Sequence, residues 1–207
     1  AALAASWQLL GFVHGVLNSD NMNITGESFD YGPWRFLPKS DPGFTAAYFD
    51  ERGRYAFARQ PEATAWNLTQ LAQSLTPICP APPLEAALET FAPFYRSALR
   101  DAVFARLAIE TGALETDVAF LSALFGWMTQ SGAGWAQLFH DWFGGAASAA
   151  RAAHSPQASL YADAAFGPVR AGLDAREPVQ PERLAHPPFG AALPPQHAMV
   201  LRSMLTL

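Results

Sequence analysis

His14-Gly15-Val16-Leu17-Asn18-Ser19-Asp20-Asn21-Met22-Asn23-Ile24-Thr25-Gly26-Glu27-Ser28-Phe29-Asp30-Tyr31-Gly32 is the stretch on which the reading of this chain turns. Ahead of it, Leu3, Trp7 and Leu10 recur at helical spacing, so residues 1–13 read as the end of a helix with Gly15 just past it. A polar loop, 14–21, then presents Asp20 and Asn21. Two short strand-like pieces, 22–25 and 28–29, join at Gly26-Glu27 as a hairpin. The returning strand is expected to deliver Asp30 beside Asp20 and Asn21. Two carboxylates and an amide oxygen at a hairpin mouth suit a hard cation such as Mg²⁺, which takes oxygen ligands and shares its shell with waters and phosphates. Phosphoryl and nucleotidyl transfer both need such an ion to neutralise phosphate charge.

Downstream, Asp30-Tyr31-Gly32-Pro33 opens a long stretch without periodicity. Asp41-Pro42-Gly43-Phe44 has Pro and Gly where a type II turn wants them, and Glu51-Arg52-Gly53 is a second turn. Trp34, Phe36, Phe44, Tyr48, Phe49, Tyr55 and Phe57 argue that this loop is ordered. Pro61 suits a first helical position, with Leu68, Leu71, Ala72 and Leu75 as the buried face. Residues 76–83 read as a proline linker. Residues 84–111 read as one helix or two, with Pro93 as the break. Thr116 is placed as the cap of a helix carrying Phe120, Leu121, Leu124 and Met128. Trp135, Leu138, Phe139 and Trp142 mark the next, ended by Gly144 and Gly145. Residues 178–195 are proline-rich and irregular, and Val200, Leu201 and Met204 suggest a last helix. The fold class is mainly α with one small β-hairpin.

The 207 residues fit a single domain, and the 13 basic against 18 acidic side chains, net −5, argue against a nucleic-acid binder. A single cysteine, Cys79, excludes an internal disulfide framework and points to a reducing, cytoplasmic setting. Residues 118–139 carry no charge but hold polar side chains and glycines, so they read as two buried helices joined at 131–134 rather than a membrane span. The start at Ala1, without a targeting segment, reads as a cut end of a longer protein. His14 is read as structural, bonding free carbonyls at a helix end. His140, His154, His186 and His197 show no metal-ligand spacing, and Trp66, Trp127, Trp135 and Trp142 read as core. Asp50, Glu51, Arg52 and Arg54 read as a solvated turn, and Arg96, Arg100 and Arg106 face water as readily as phosphate.

The order of parts resembles the catalytic and metal loops of the protein-kinase-like fold, where His-Arg-Asp, an Asn, a hairpin and Asp-Phe-Gly follow one another. Small-molecule phosphotransferases of that fold use His-Gly-Asp. Here Val16 follows His14-Gly15, so the usual base is missing, while Asn21 and Asp30-Tyr31-Gly32 stand at the metal positions. The run 14–22, Phe29 to Pro33, Asp41-Pro42-Gly43-Phe44, Gly53-Arg54-Tyr55, Gln60-Pro61 and Trp66-Asn67-Leu68 through Leu71-Ala72 is similar to the selenoprotein O family over roughly the first 75 residues. Members of that family are kinase-like protein adenylyltransferases. The resemblance implies that Asp20 accepts the proton, that Asn21 and Asp30 hold Mg²⁺ or Mn²⁺, and that Asp30 lies against the ATP phosphates. It also implies a flipped ATP whose α-phosphorus faces a protein Ser, Thr or Tyr hydroxyl.

On this reading, residues 1–207 are a single kinase-like C-terminal lobe, inactive alone, with the N-terminal nucleotide-binding lobe absent. Ser19 stands where the family usually has Thr, and Trp34-Arg35 replaces an aromatic-Gly pair; neither change removes a ligand. Two other readings stand beside it. Val16 also suits a non-catalytic pseudokinase that binds nucleotide or partners, and His14-Gly15 more weakly suits a small-molecule phosphotransferase.

Overall fold

The computed structural model describes residues 1–185. The last helix expected around Val200 to Met204 lies outside the described residues, as does the part of the expected irregular stretch beyond residue 185. The chain divides into two compact units, one built from 1–37 and 41–99, the other from 38–40 and residues from 100 onward.

The first unit opens with α1 (Ala2–Leu10). Gly11 ends this helix in the left-handed conformation, φ 66°, with its N–H on the Gln8 and Trp7 carbonyls. The helix therefore stops earlier than expected. Gly15, read as the residue past its end, serves elsewhere. Phe12–Val13 is a strand, β1, paired antiparallel with β2 (Arg35–Phe36), Phe12 opposite Phe36 and Val13 opposite Arg35. The hairpin expected over 22–29 is a single antiparallel bridge, Met22 to Ser28, closed by a turn in which Asn23 N–H bonds the Glu27 carbonyl at 2.8 Å. The sheet thus sits outside the hairpin, in strands of two residues that are too short to show alternation in the sequence.

The Asp41–Phe44 turn is present, with the Phe44 N–H on the Asp41 carbonyl at 3.2 Å. Gly43 is not among the residues with positive φ, so the type II geometry is absent. α2 (Gln60–Leu75) carries Pro61 in its first turn, and α3 (Ala81–Glu89) begins inside the stretch expected to be linker. The break before α4 (Phe91–Leu107) falls at Thr90, and Pro93 sits in the first turn of α4, where no intrahelical N–H is needed. Ala4, Trp7, Phe12, Leu17, Tyr55 and Ala63 form the core of this unit.

The second unit is helical. α5 (Leu114–Ser131) and α6 (Trp135–Asp141) are joined through Gly132 at φ 63°, as the sequence suggested. Ala113, not Thr116, is the N-cap; the Thr116 hydroxyl donates to the Ala113 carbonyl at 2.7 Å. α7 (Ala149–Ala153), α8 (Ala158–Ala162) and α9 (Gly167–Asp174) complete it. Trp127, Trp142, Tyr161 and Phe166 form one aromatic cluster, with Trp127 and Phe166 edge-on at 4.7 Å. Trp127, Trp135 and Trp142 are core, as expected, but Trp66 is 46% exposed.

Two of the arginines read as facing water or phosphate are structural. Asp117 is fully buried between Arg100, at 2.7 Å, and Arg176, at 2.8 Å. Burial pushes its carboxyl up, but bonds from Arg176, the Gly112 N–H and Arg100 overcome that and hold it below the usual range. The Arg106 guanidinium lies 4.3 Å from the centroid of the Phe139 ring, while Arg96 is exposed. Among the described residues no helix is long and apolar enough to cross a membrane.

Candidate functional site

The loop 14–21 is held by side chains of α2. Gln60 accepts the His14 N–H at 2.8 Å and donates to the Phe12 carbonyl at 2.8 Å, so its amide continues the hydrogen bonding that β1 cannot complete. One turn pair further along α2, Asn67 donates to the Leu17 carbonyl at 2.8 Å and accepts the Ser19 hydroxyl at 3.0 Å. Gln60, Ala63, Thr64 and Asn67 are the buried residues of α2, at i, i+3, i+4 and i+7. The Leu68, Leu71, Ala72, Leu75 stripe expected to be the core face is only half-buried. Burying two amides is favourable here because both meet partners, which an apolar side chain would leave orphaned.

Asn18 precedes a 3-10 turn, Ser19–Asn21, and accepts the Tyr55 hydroxyl on its side-chain oxygen. Asp20 sits on that turn, exposed, its carboxylate free of hydrogen bonds among the described residues. Asn21 is buried, 6% exposed, and donates its amide N–H to the Val16 carbonyl at 3.0 Å. The Asn21 backbone carbonyl receives the Phe29 N–H at 3.2 Å and the Ser28 hydroxyl at 2.8 Å. Asn21 is thereby tied to the residue preceding Asp30.

Asp30 is exposed and stands in the left-handed region at φ 58°, rare for a residue with a side chain but tolerated by Asp. Its carbonyl accepts the Gly32 N–H at 2.9 Å, a turn across three residues. Gly15, at φ 88°, is required for a different reason. A Cβ there would lie 2.9 Å from the Pro33 side chain and 3.1 Å from Ala46, so the residues just after Asp30 pack directly on its backbone.

His14 does not end a helix. It follows β1, fully buried, with Tyr31 against its ring at 4.8 Å between centroids. The Val16 N–H points at its Nδ1 at 3.4 Å, and its Nε2 is 2.8 Å from the Ser28 hydroxyl. These bonds assign the proton to Nε2, which donates to Ser28, which in turn donates to the Asn21 carbonyl. Burial pushes the imidazole pKa down; its backbone hydrogen bond and the Asp30 charge oppose this in part.

Gln60 and Asn67 stand in the sequence only as motif residues of the resemblance, not as loop-holding amides, and Ser28 and the Tyr55–Asn18 bond carry no motif. The available signal was the recurrence of two amides on one face of α2 around Ala63 and Thr64. Among the described residues no three His, Cys, Asp or Glu side chains cluster as a protein-only metal cage. Asp20, Asn21 and Asp30 carry side-chain oxygens of the kind that suit a hard cation.

The fold and the loop define a mainly helical protein that presents oxygen donors from a short turn beside a bridged hairpin. A profile of the family described as protein adenylyltransferase SelO matches residues 1–160, and the chain belongs to that family. A protein nucleotidyltransferase YdiU of Hahella chejuensis is 49% identical over 109 residues, 53% of this chain and 22% of that protein. The corresponding protein of Synechocystis is 48% identical over 111 residues, 54% of this chain and 23% of that protein. That of Pseudomonas putida F1 is 41% identical over 139 residues, 67% of this chain and 28% of its own length. The chain therefore spans less than a third of the length of these curated relatives.

Proposed function

We propose that this chain is the metal- and acceptor-facing part of a protein adenylyltransferase, with the kinase-like C-terminal lobe that the resemblance implies. The observation that carries the reading is the hydrogen bonding that ties Asn21 to Phe29 and so couples the Asp20-Asn21 turn to Asp30. Family membership and the printed names of the relatives support nucleotidyl transfer over the other chemistries of this loop.

Asn21 and Asp30 are the proposed ligands for Mg²⁺ or Mn²⁺. Their donor types fit: the Asn21 nitrogen is committed to the Val16 carbonyl, which leaves its oxygen for a cation, and the Asp30 carboxylate is exposed. A bound ion there supplies neutralisation of the phosphate charge. Asp20 takes the proton of a Ser, Thr or Tyr hydroxyl on the acceptor protein. That oxygen forms a bond to the α-phosphorus of ATP, the bond from the α-phosphorus to the bridging oxygen breaks, and pyrophosphate leaves. Val16 cannot accept a proton, so the residue at the usual kinase base position takes no part. Half a cleft does not position a triphosphate, and positioning with electrostatics supplies most of the catalysis in this chemistry. Residues 1–207 alone therefore give no turnover.

Asp30→Ala in the native polypeptide tests the assignment. Asp30 is exposed, but Ala at φ 58° is strained, so the variant is expected to lose on the order of 1 kcal/mol of stability and remain folded, while AMP transfer falls by at least about 10²-fold. Unchanged AMP labelling contradicts the site. A pseudokinase, the second reading that Val16 favours, binds nucleotide with metal and gives no covalent product.

A further inference from the structure

Beside the loop that carries Asp20 lies a cavity of about 220 Å³ lined by Leu17, Arg54, Tyr55, Arg59, Glu62, Ala63 and Trp66. Its charges are not equivalent. Arg59 is engaged by Glu62 through two bonds, 3.1 and 3.2 Å, and by the Gly53 carbonyl at 3.2 Å. Arg54 makes no ion pair among the described residues. Its guanidinium is instead 5.0 Å from the centroid of the Trp66 ring and 5.8 Å from that of Tyr55. An arginine held by aromatic rings keeps its fork of N–H donors for a planar anion. The Asp50 carboxylate, nearby in sequence, is occupied by the backbone N–H groups of Arg54 and Tyr55, both at 2.8 Å.

We propose that this cavity is a specificity subsite that takes an acidic side chain, Asp or Glu, of the acceptor protein near the hydroxyl to be modified. The proposal rests on the adenylyltransferase reading above. Three observations carry it. The cavity is smaller than the roughly 300 Å³ at which small-molecule sites begin, so it fits one side chain rather than a nucleotide. Its two guanidinium groups face one carboxylate, which is already bonded, so a further carboxylate is complementary. It shares a wall with the Asp20 turn: Leu17 lines it, and the Tyr55 hydroxyl donates to Asn18, the residue that opens that turn. A side chain seated on Arg54 belongs to a polypeptide running past Asp20. The Trp66 ring, 46% exposed, supplies the apolar wall for the methylenes of Glu or Asp.

The test uses the native polypeptide and two acceptor peptides that differ only in Glu or Gln beside one Ser. For the parent, kcat/KM for α-labelled ATP transfer is expected to favour the Glu peptide. Arg54→Gln is expected to reduce that preference about tenfold, as loss of one charge-assisted hydrogen-bonded contact does, mainly through KM for peptide, and Arg54→Lys to restore part of it. An equal effect of Arg54→Gln on both peptides, or none, overturns the proposal. Binding of the fluorescent Glu peptide, followed by anisotropy without ATP, separates the two claims. If no peptide is labelled yet Glu-peptide binding depends on Arg54, the adenylyl-transfer reading fails and the acidic subsite stands. If labelling proceeds without preference for Glu, the subsite fails and transfer stands.

Discussion

His14 is the residue whose role changes most between sequence and structure. A helix end would make it a charged partner of free carbonyls. Buried after β1, with its Nδ1 facing an N–H, it is neutral and links Val16 to Ser28 and Asn21. Its folded pKa lies below the ordinary value near 6.5, so the unfolded chain takes up the proton first. Its stabilisation is complete above that value and is lost as pH falls through the folded pKa. Urea midpoints are expected to drop as pH falls below about 6.5, and His14→Gln to flatten that slope. An identical slope in the variant contradicts the neutral assignment. Asp20, Asn21 and Asp30 were legible as candidates because their side chains carry the chemistry. His14 was not, because Gly11 and Gly15 both satisfy the local rule for a helix stop. What separates them is the Pro33 side chain packed on Gly15, a contact between residues eighteen positions apart.

At the scale of elements, α2 positions the site through polar groups. Asn67→Ala leaves the Leu17 carbonyl and the Ser19 hydroxyl without their partner. The expected loss is about 1–3 kcal/mol of stability by urea denaturation, against a few tenths for the exposed Gln73→Ala. Equal effects of the two substitutions contradict the clamp. Hydrophobic periodicity finds helices well, and it located α1, α2, α5 and α6. It assigned the wrong face to α2 because it takes apolar residues to be inside, whereas this face is buried by Gln60, Thr64 and Asn67 with small Ala63 between them. The strands were missed for the opposite reason. β1 and β2 hold two residues each, and pairing across more than twenty residues leaves no local pattern.

At the scale of the whole molecule, the proposed site falls in one of the two units. All three proposed site residues and the Arg54 cavity belong to the first unit. The second is an aromatic, helical body with buried charges: Asp117 between Arg100 and Arg176, and Asp141 bonded by Gln137, Ser155 and Tyr161. Such groups stabilise only while every partner is present, so loss of any one of them is costly. With the proposed site residues in the first unit, a single claim is central: ATP is cleaved at its α-phosphorus, with AMP passed to protein. The direct measurement incubates the native polypeptide with Mg²⁺ or Mn²⁺ and ATP labelled at either the α- or the γ-phosphate. Label held on protein from the α position alone is the expected result; label from the γ position, or from neither, contradicts it.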